Sequence, residues 1–580
     1  MVSATGSSAV LAWAPARDPA PGGLPLSLAE GLGVRIDGYL FDLPTGCSAE
    51  DHLAALWHRH GPAALDRLRG SFVAIVWDGR RLFIARDTSG TLSAFTAWDG
   101  RRLLFSTDLH ALVAAAGAAP DPVAVAETLL EGRPSKPETT LHSGIHRLLP
   151  GQLLTADRHG ITIRSTWDPL PAGFEWATQA ESRQVVPLLQ QAVDRCLRAG
   201  ADSLALSGGF DSVSLAILAA GRRPPLHAIS MLFPNPACDE GATQAAVARA
   251  LGMPSLLQGV TDGPDCVAAS VELSARLPSP VVNLWHSMFN ALLGSARERG
   301  LRGLMMGIGG DEVFNVDLLH GADCLAGFDL PALWRFTRLW LRTAASDHAL
   351  LARMILWDGS AKPVLRRMVS QTVRRIAPNA HPVLRDRWTG HRLPGWVAPE
   401  MRARLAVHGP EETAPWEGWY RASLRGLLAS PLQVAEHDQL FAWTRDHGLR
   451  HFLPFFDRDL MELVLRLRPD DLMIGGRAKG PLRRLVAERL PHVPMRATKV
   501  NFTSMVHDLL RSSGRAAWRR LGGPVRLAGL GIADEASLSQ AVESYFDGRH
   551  DYWRYAWLGL CTESWLRAWT SRKDEIHDVA

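Results

Sequence analysis

Two textures of apolar spacing divide this chain. Up to about residue 170, short apolar runs are separated by tight polar turns. Residues 72–77 (Phe-Val-Ala-Ile-Val-Trp) are followed by Asp78-Gly79 and a second apolar run at 81–86, and Asp-Gly between such runs predicts a β-hairpin. The pattern recurs over 97–105, with Asp99-Gly100 at the turn. The stretch 168–173, containing Pro and Gly, reads as a linker. From about 176, helical periodicity over 181–199, 211–220, 239–251 and 282–299 alternates with apolar strands at 203–206, 226–233 and 301–306. Strands separated by helices predict a parallel doubly wound sheet. The remainder, from about 325, reads as helical and Trp-rich. We therefore expect a β-rich unit at 1–170 and an α/β unit at 176–580. Most of the C-terminal Trp residues are expected to fill a helical core.

Composition narrows the function classes. The chain has 580 residues, 47% hydrophobic and 21% charged, with a formal net charge of +4. Those values suit a multidomain globular enzyme. No concentrated basic stripe calls for nucleic acid, and the pairs Arg366-Arg367 and Arg374-Arg375 read as solvated helix faces. No apolar run reaches the roughly 18 residues of a membrane span. Residues 1–23 lack the basic and apolar segments of a signal peptide, so no membrane association and a cytoplasmic location are expected. Six scattered cysteines without C-x-x-C spacing argue against a zinc site or a disulfide framework. The five lysines, Lys136, Lys362, Lys479, Lys499 and Lys573, stand out among many arginines. A compact point charge and a guanidinium fork do different chemistry.

The clearest chemical signal is Leu206-Ser207-Gly208-Gly209-Phe210-Asp211-Ser212, a Gly-rich turn between a strand and a helix. A helix N-terminus there presents unpaired N–H groups and a positive dipole end, and the glycines allow close approach of a polyphosphate. Ser207 and Ser212 add hydroxyls. Asp211 would repel phosphate unless it holds a divalent cation such as Mg2+. The 207–212 segment resembles the pyrophosphate loop of enzymes that cleave ATP between its α- and β-phosphates to form adenylates.

A second loop, Gly307-Ile308-Gly309-Gly310-Asp311-Glu312-Val313-Phe314, resembles the second signature of the asparagine synthetase and β-lactam synthetase superfamily. That resemblance implies that Asp211 and Asp311 ligate magnesium and that Leu206, Met231, Gly307 and Gly309 line the ATP site. Loops after neighbouring parallel strands would meet in the crevice at the sheet's carboxyl edge. Residues 68–74 and 84–90 resemble the glutaminase half of asparagine synthetases. That glutaminase uses an N-terminal Cys after Met removal. Residue 2 is Val2 and Cys47 is the first cysteine, so glutamine hydrolysis is expected to be absent. The implied architecture is α/β: a degenerate glutaminase-like β sandwich followed by an ATP-pyrophosphatase-type parallel sheet with a helical C-terminal portion.

The segment Arg496-Ala497-Thr498-Lys499 resembles the family's Arg-x-x-Lys, which implies that Lys499 stabilises the oxyanion of amide formation. Lys479, in Arg477-Ala478-Lys479-Gly480, is the candidate phosphate contact. Two departures bear on the substrate. Ile308 stands where the resembled enzymes carry Glu or Tyr, and it can move no proton. Pro454-Phe455-Phe456-Asp457 matches the family's Pro-Phe-Leu-Asp but is preceded by Arg450 and Phe452 in place of Glu and Arg. With these losses the chain is similar to lasso peptide macrolactam synthetases. There an Asp or Glu side chain of a precursor peptide is adenylated and attacked by the peptide's own N-terminal amine, and a leader peptidase acts as partner protein. Two other readings stay open: an amide ligase for a small amino acid or free ammonia, and a non-catalytic scaffold. The general base is unassigned.

Overall fold

The computed structural model describes residues 32–171, 173–259, 265–342, 347–377, 393–407, 417–496, 500, 502–550 and 552–577. The strands of the N-terminal part are β1 (Gly33–Leu40), β2 (Gly70–Trp77), β3 (Leu82–Arg86), β4 (Phe95–Trp98), β5 (Leu103–Ser106), β6 (Ile145–Arg147), β7 (Gln152–Asp157) and β8 (Gly160–Ser165). They form an antiparallel five-stranded sheet, β1-β2-β3-β7-β8, and a three-stranded sheet, β5-β4-β6. Both Asp-Gly hairpins form. The Asp78 carboxylate accepts from the Arg80 and Arg81 amides, and Asp99 accepts from those of Arg101 and Arg102. Side chains alternate across β2 with a period of two. Val73 and Ile75 pack with Leu103 and Phe105 of the second sheet, whereas Phe72, Ala74 and Val76 pack with Leu53 and Trp57 of the helix Ala49–His60. Three helices, Ala49–His60, Leu109–Ala116 and Pro122–Glu131, also lie in this β-rich part, where the sequence reading assigns no element.

The second sheet system contains β9 (Ser203–Ala205), β10 (His227–Leu232), β11 (Ser255–Gly259), β12 (Gly303–Met305) and β13 (Arg450–Phe452). All are parallel, in the order β11-β10-β9-β12-β13. Helices Phe210–Ala219, Gly241–Ala250 and His286–Glu298 lie in the crossovers and Val185–Arg198 precedes β9, all close to the predicted bounds. β11 (Ser-Leu-Leu-Gln-Gly) and β13 (Arg-His-Phe) went unread because neither carries the apolar run that marks β9, β10 and β12. The chain leaves β9 toward β10 on one side and returns to β12 on the other. The crevice at the carboxyl ends of β9 and β12 is therefore the switch point where such sheets bind ligands. Gly303 is required for this pairing: a Cβ there would lie 2.1 Å from the Gly200 carbonyl oxygen.

A buried ion pair ties the two sheet systems together. Arg147 on β6 donates to Asp438 at 2.5 Å, both side chains almost fully buried, and Ser93 donates to the same carboxylate. Of the Trp residues, Trp443, Trp557 and Trp565 are core, whereas Trp334 and Trp357 are 63% and 48% exposed; Trp388 and Trp416 lie outside the described residues. Among the described residues no helix is long and apolar enough to cross a membrane.

Candidate active site

The 207–212 loop leaves β9 with Leu206 still tied to the sheet, its amide donating to Ile229 and its carbonyl accepting from Ser230. Gly208 has φ +81°, a left-handed conformation that glycine adopts without strain. Ser212 closes the loop: its hydroxyl accepts from the Ser207 amide at 3.1 Å and donates to the Gly209 carbonyl. The helix Phe210–Ala219 starts at Gly209 without a side-chain cap. Its first amides therefore remain available to an anion.

The 307–312 loop packs directly on this one. A Cβ on Gly310 would come within 2.5 Å of the Asp211 carboxyl carbon, and one on Gly307 within 3.2 Å of the Asp211 Cβ. Gly309, at φ +96°, leaves room for Phe455 and Phe456, so the Pro-Phe-Phe-Asp stretch buttresses the second loop. Leu206, Met231, Gly307 and Gly309 thus gather at the carboxyl ends of β9, β10 and β12. Ile308 is partly buried and packs against the main apolar core.

Asp211 and Asp311 meet on one cation. The Lys479 ammonium lies 2.5 Å from Asp211 Oδ2 and 2.7 Å from Asp311 Oδ1. Lys479 precedes the helix Gly480–Arg489 and has φ +65°, a conformation costing a non-glycine residue about 1 kcal/mol. A positive charge at a helix N-terminus opposes the dipole as well. The two carboxylates offset both costs. They form an oxygen-only, hard donor pair around a positive charge, which fits magnesium. Among the described residues no group of three metal-ligating side chains forms, so phosphate oxygens would complete any coordination shell.

Three features went unread in the sequence. Glu436, on the helix Pro431–Asp446, accepts from Asn283 Nδ2 at 2.5 Å. Burial pushes its carboxyl up to about 7; the Asn283 hydrogen bond opposes the rise and the nearby Glu312 adds to it. The signal was a helix rich in polar residues that is buried on most sides, including Gln433, His437, Asp438 and Gln439. Second, Arg496 donates to the carbonyls of Pro236, Ala237 and Asp239 at 3.0, 2.9 and 2.7 Å. The following residue, Glu240, packs against Gly208, so Arg496 is anchored to the segment that flanks the phosphate loop. Lys499 itself lies outside the described residues. Third, Phe233, Trp285 and Phe502 converge, with ring centroids 5.0 and 5.9 Å apart, on a cluster containing Met231 and Met288. A separate cleft of about 40 Å³ between the sheet systems, lined by Arg69, Asp87, Ser89, Cys196 and Asp457, contains none of the phosphate-loop residues.

Residues 184–567 match the asparagine synthase family, and residues 45–167 match the glutamine amidotransferase domain. Putative glutamine-hydrolyzing asparagine synthetases of Mycobacterium bovis and Mycobacterium tuberculosis are 25% identical over 547 residues, covering 88% of this chain and 78% of theirs. Among solved structures, the Bacillus subtilis glutamine phosphoribosylpyrophosphate amidotransferase complexed with ADP and GMP superposes with a TM-score of 0.18 at 12% identity. That superposition covers 47% of this chain and 54% of the other.

Proposed function

The chain belongs to the asparagine synthase family, and from that premise we propose that it is an ATP-dependent, AMP-forming ligase that closes a macrolactam on a ribosomal precursor peptide. The observation that carries the ligase chemistry is the convergence of Asp211, Asp311 and Lys479 beside a capless helix N-terminus. The 207–212 loop and the Phe210–Ala219 helix bind the triphosphate. Asp211 and Asp311 would hold magnesium, which when bound would neutralise phosphate charge, and Lys479 moves from the carboxylates onto phosphate. A substrate Asp or Glu carboxylate attacks the α-phosphorus, giving an acyl-adenylate and releasing pyrophosphate. The peptide's N-terminal amine then attacks the acyl carbon, Glu436 accepts its proton, Lys499 steadies the oxyanion, and AMP leaves. Tethering of amine and acyl group in one peptide supplies high effective molarity.

Two features favour a peptide over a small amino acid. Ile308 removes the polar group that the loop offers in relatives acting on small substrates, and Phe233, Trp285 and Phe502 form an aromatic wall suited to apolar side chains. A leader peptidase would deliver the processed peptide. A second reading is favoured by the amidotransferase match over 45–167 and by the printed name of the relatives: amide formation on a small amino acid with glutamine or ammonia as donor. Mass spectrometry of a candidate precursor peptide with enzyme and ATP tests the first reading. Loss of one water with formation of AMP is expected. ADP formation would contradict the adenylate, and glutamate release from glutamine would favour the second reading.

A further inference from the structure

The helical excursion between β12 and β13 carries an apolar seam that the described core leaves uncovered. Helices His348–Arg353 and Lys362–Ile376 join through a π-helical segment, Met354–Ala361, into one continuous helix. The 15 residues Lys362–Ile376 contain no buried side chain. The inner side of the π segment is seated tightly on the neighbouring helix His320–Ala326 and the residues before it. A Cβ on Gly359 would lie 2.8 Å from Leu318, and one on Gly321 would meet the Ser360 hydroxyl.

The outer side is ordered. Leu350, Met354 and Trp357 follow a heptad d-a-d spacing, and Leu365, Val369 and Ile376 resume it one residue out of step. A single-residue slip of that kind is what a π-helical turn introduces. The π segment therefore keeps both halves of the seam on one side. These six side chains are 42% to 79% exposed. Arg353, Arg366 and Arg375 occupy the flanking e and g positions, and residues 348–376 hold six Lys or Arg against one acidic residue, Asp358. Asp358 is itself engaged by Lys362 at 2.9 Å.

We propose that this face docks an amphipathic helix of another polypeptide, with an apolar a/d seam flanked by Glu and Asp. Heptad spacing fits a helical occupant, because knobs from a second helix seat between residues spaced in this way. The basic flanks select an acidic partner and disfavour a second copy of this chain, whose matching arginines would repel.

Fluorescence anisotropy with two labelled synthetic peptides of roughly four heptads tests this on the full chain. Both carry Leu at a and d; one has Glu and the other Lys at e and g. The Glu peptide is expected to bind at least about tenfold more tightly than the Lys peptide. Val369→Glu should abolish binding, and Arg366→Glu with Arg375→Glu should invert the preference; none of these should alter ATP-dependent pyrophosphate release. Equal binding of the two peptides, binding of neither, or binding unchanged in Val369→Glu would overturn the proposal. So would uptake of the protein by phosphatidylglycerol vesicles that Val369→Glu abolishes, or a concentration-dependent dimer that the same change disrupts.

Discussion

Glu436→Gln should separate stability from catalysis. In the native protein the Glu436 carboxyl sits at about 7 against an ordinary 4.5. That rise amounts to about 3 kcal/mol of preference for the neutral form, an upper figure for a group that keeps some solvent contact. Near pH 4.5 and below, the group is protonated in native and unfolded chains alike and costs nothing. As pH rises toward 7 the unfolded chain ionises first, so stability drains away; above 7 the deficit is constant. Glutamine keeps an oxygen to accept from Asn283 Nδ2 and never ionises. Urea denaturation at about pH 8.5 should therefore find Glu436→Gln more stable than wild type by up to about 3 kcal/mol, and at about pH 4.5 equal to it. Catalysis should move the opposite way. Wild-type amide formation should rise with pH through about 7 as the base ionises. The variant should release pyrophosphate normally yet form amide roughly 10²–10⁴-fold more slowly. A variant less stable than wild type at high pH, or one losing pyrophosphate release together with amide formation, would refute the placement of Glu436 as a buried base.

Other expectations rest on different contacts. Gly310→Ala places a methyl 2.5 Å from the Asp211 carboxyl carbon, so pyrophosphate release should fall at least about 10²-fold with little change in melting temperature. Gly303→Ala drives a methyl into the Gly200 carbonyl and should lower the melting temperature instead; differential scanning calorimetry distinguishes the pair. Lys479→Met removes the cation between Asp211 and Asp311. It should weaken ATP binding by calorimetric titration while tightening magnesium binding to the nucleotide-free protein. Asp438→Ala strands the buried Arg147 guanidinium and should cost about 3–5 kcal/mol in chemical denaturation, because the unpaired charge stays buried.

Local chemistry made much of the site readable. A Gly-rich turn between a strand and a helix builds an anion site from backbone amides, so Ser207 to Ser212 could be recognised without knowing any neighbour. The 307–312 loop was readable by its resemblance to a known family signature, and the scarcity of lysine drew attention to Lys479. What pattern could not supply was distance. Asn283 and Glu436 are separated by 153 residues and carry no shared period. Arg450 to Phe452 completes the sheet with three residues, two of them polar, so no apolar run marks it.

The sequence alone determined the strands β9, β10 and β12, the two Asp-Gly hairpins and the Gly-rich loop at Ser207 to Ser212, because each depends on residues within one turn or one run of each other. Only the tertiary structure decided that Lys479 would stand between Asp211 and Asp311, that Glu436 would be buried beside Asn283, and that the 350–376 seam would face outward. Charge, burial and exposure are set by what packs around a residue, and those neighbours come from far along the chain.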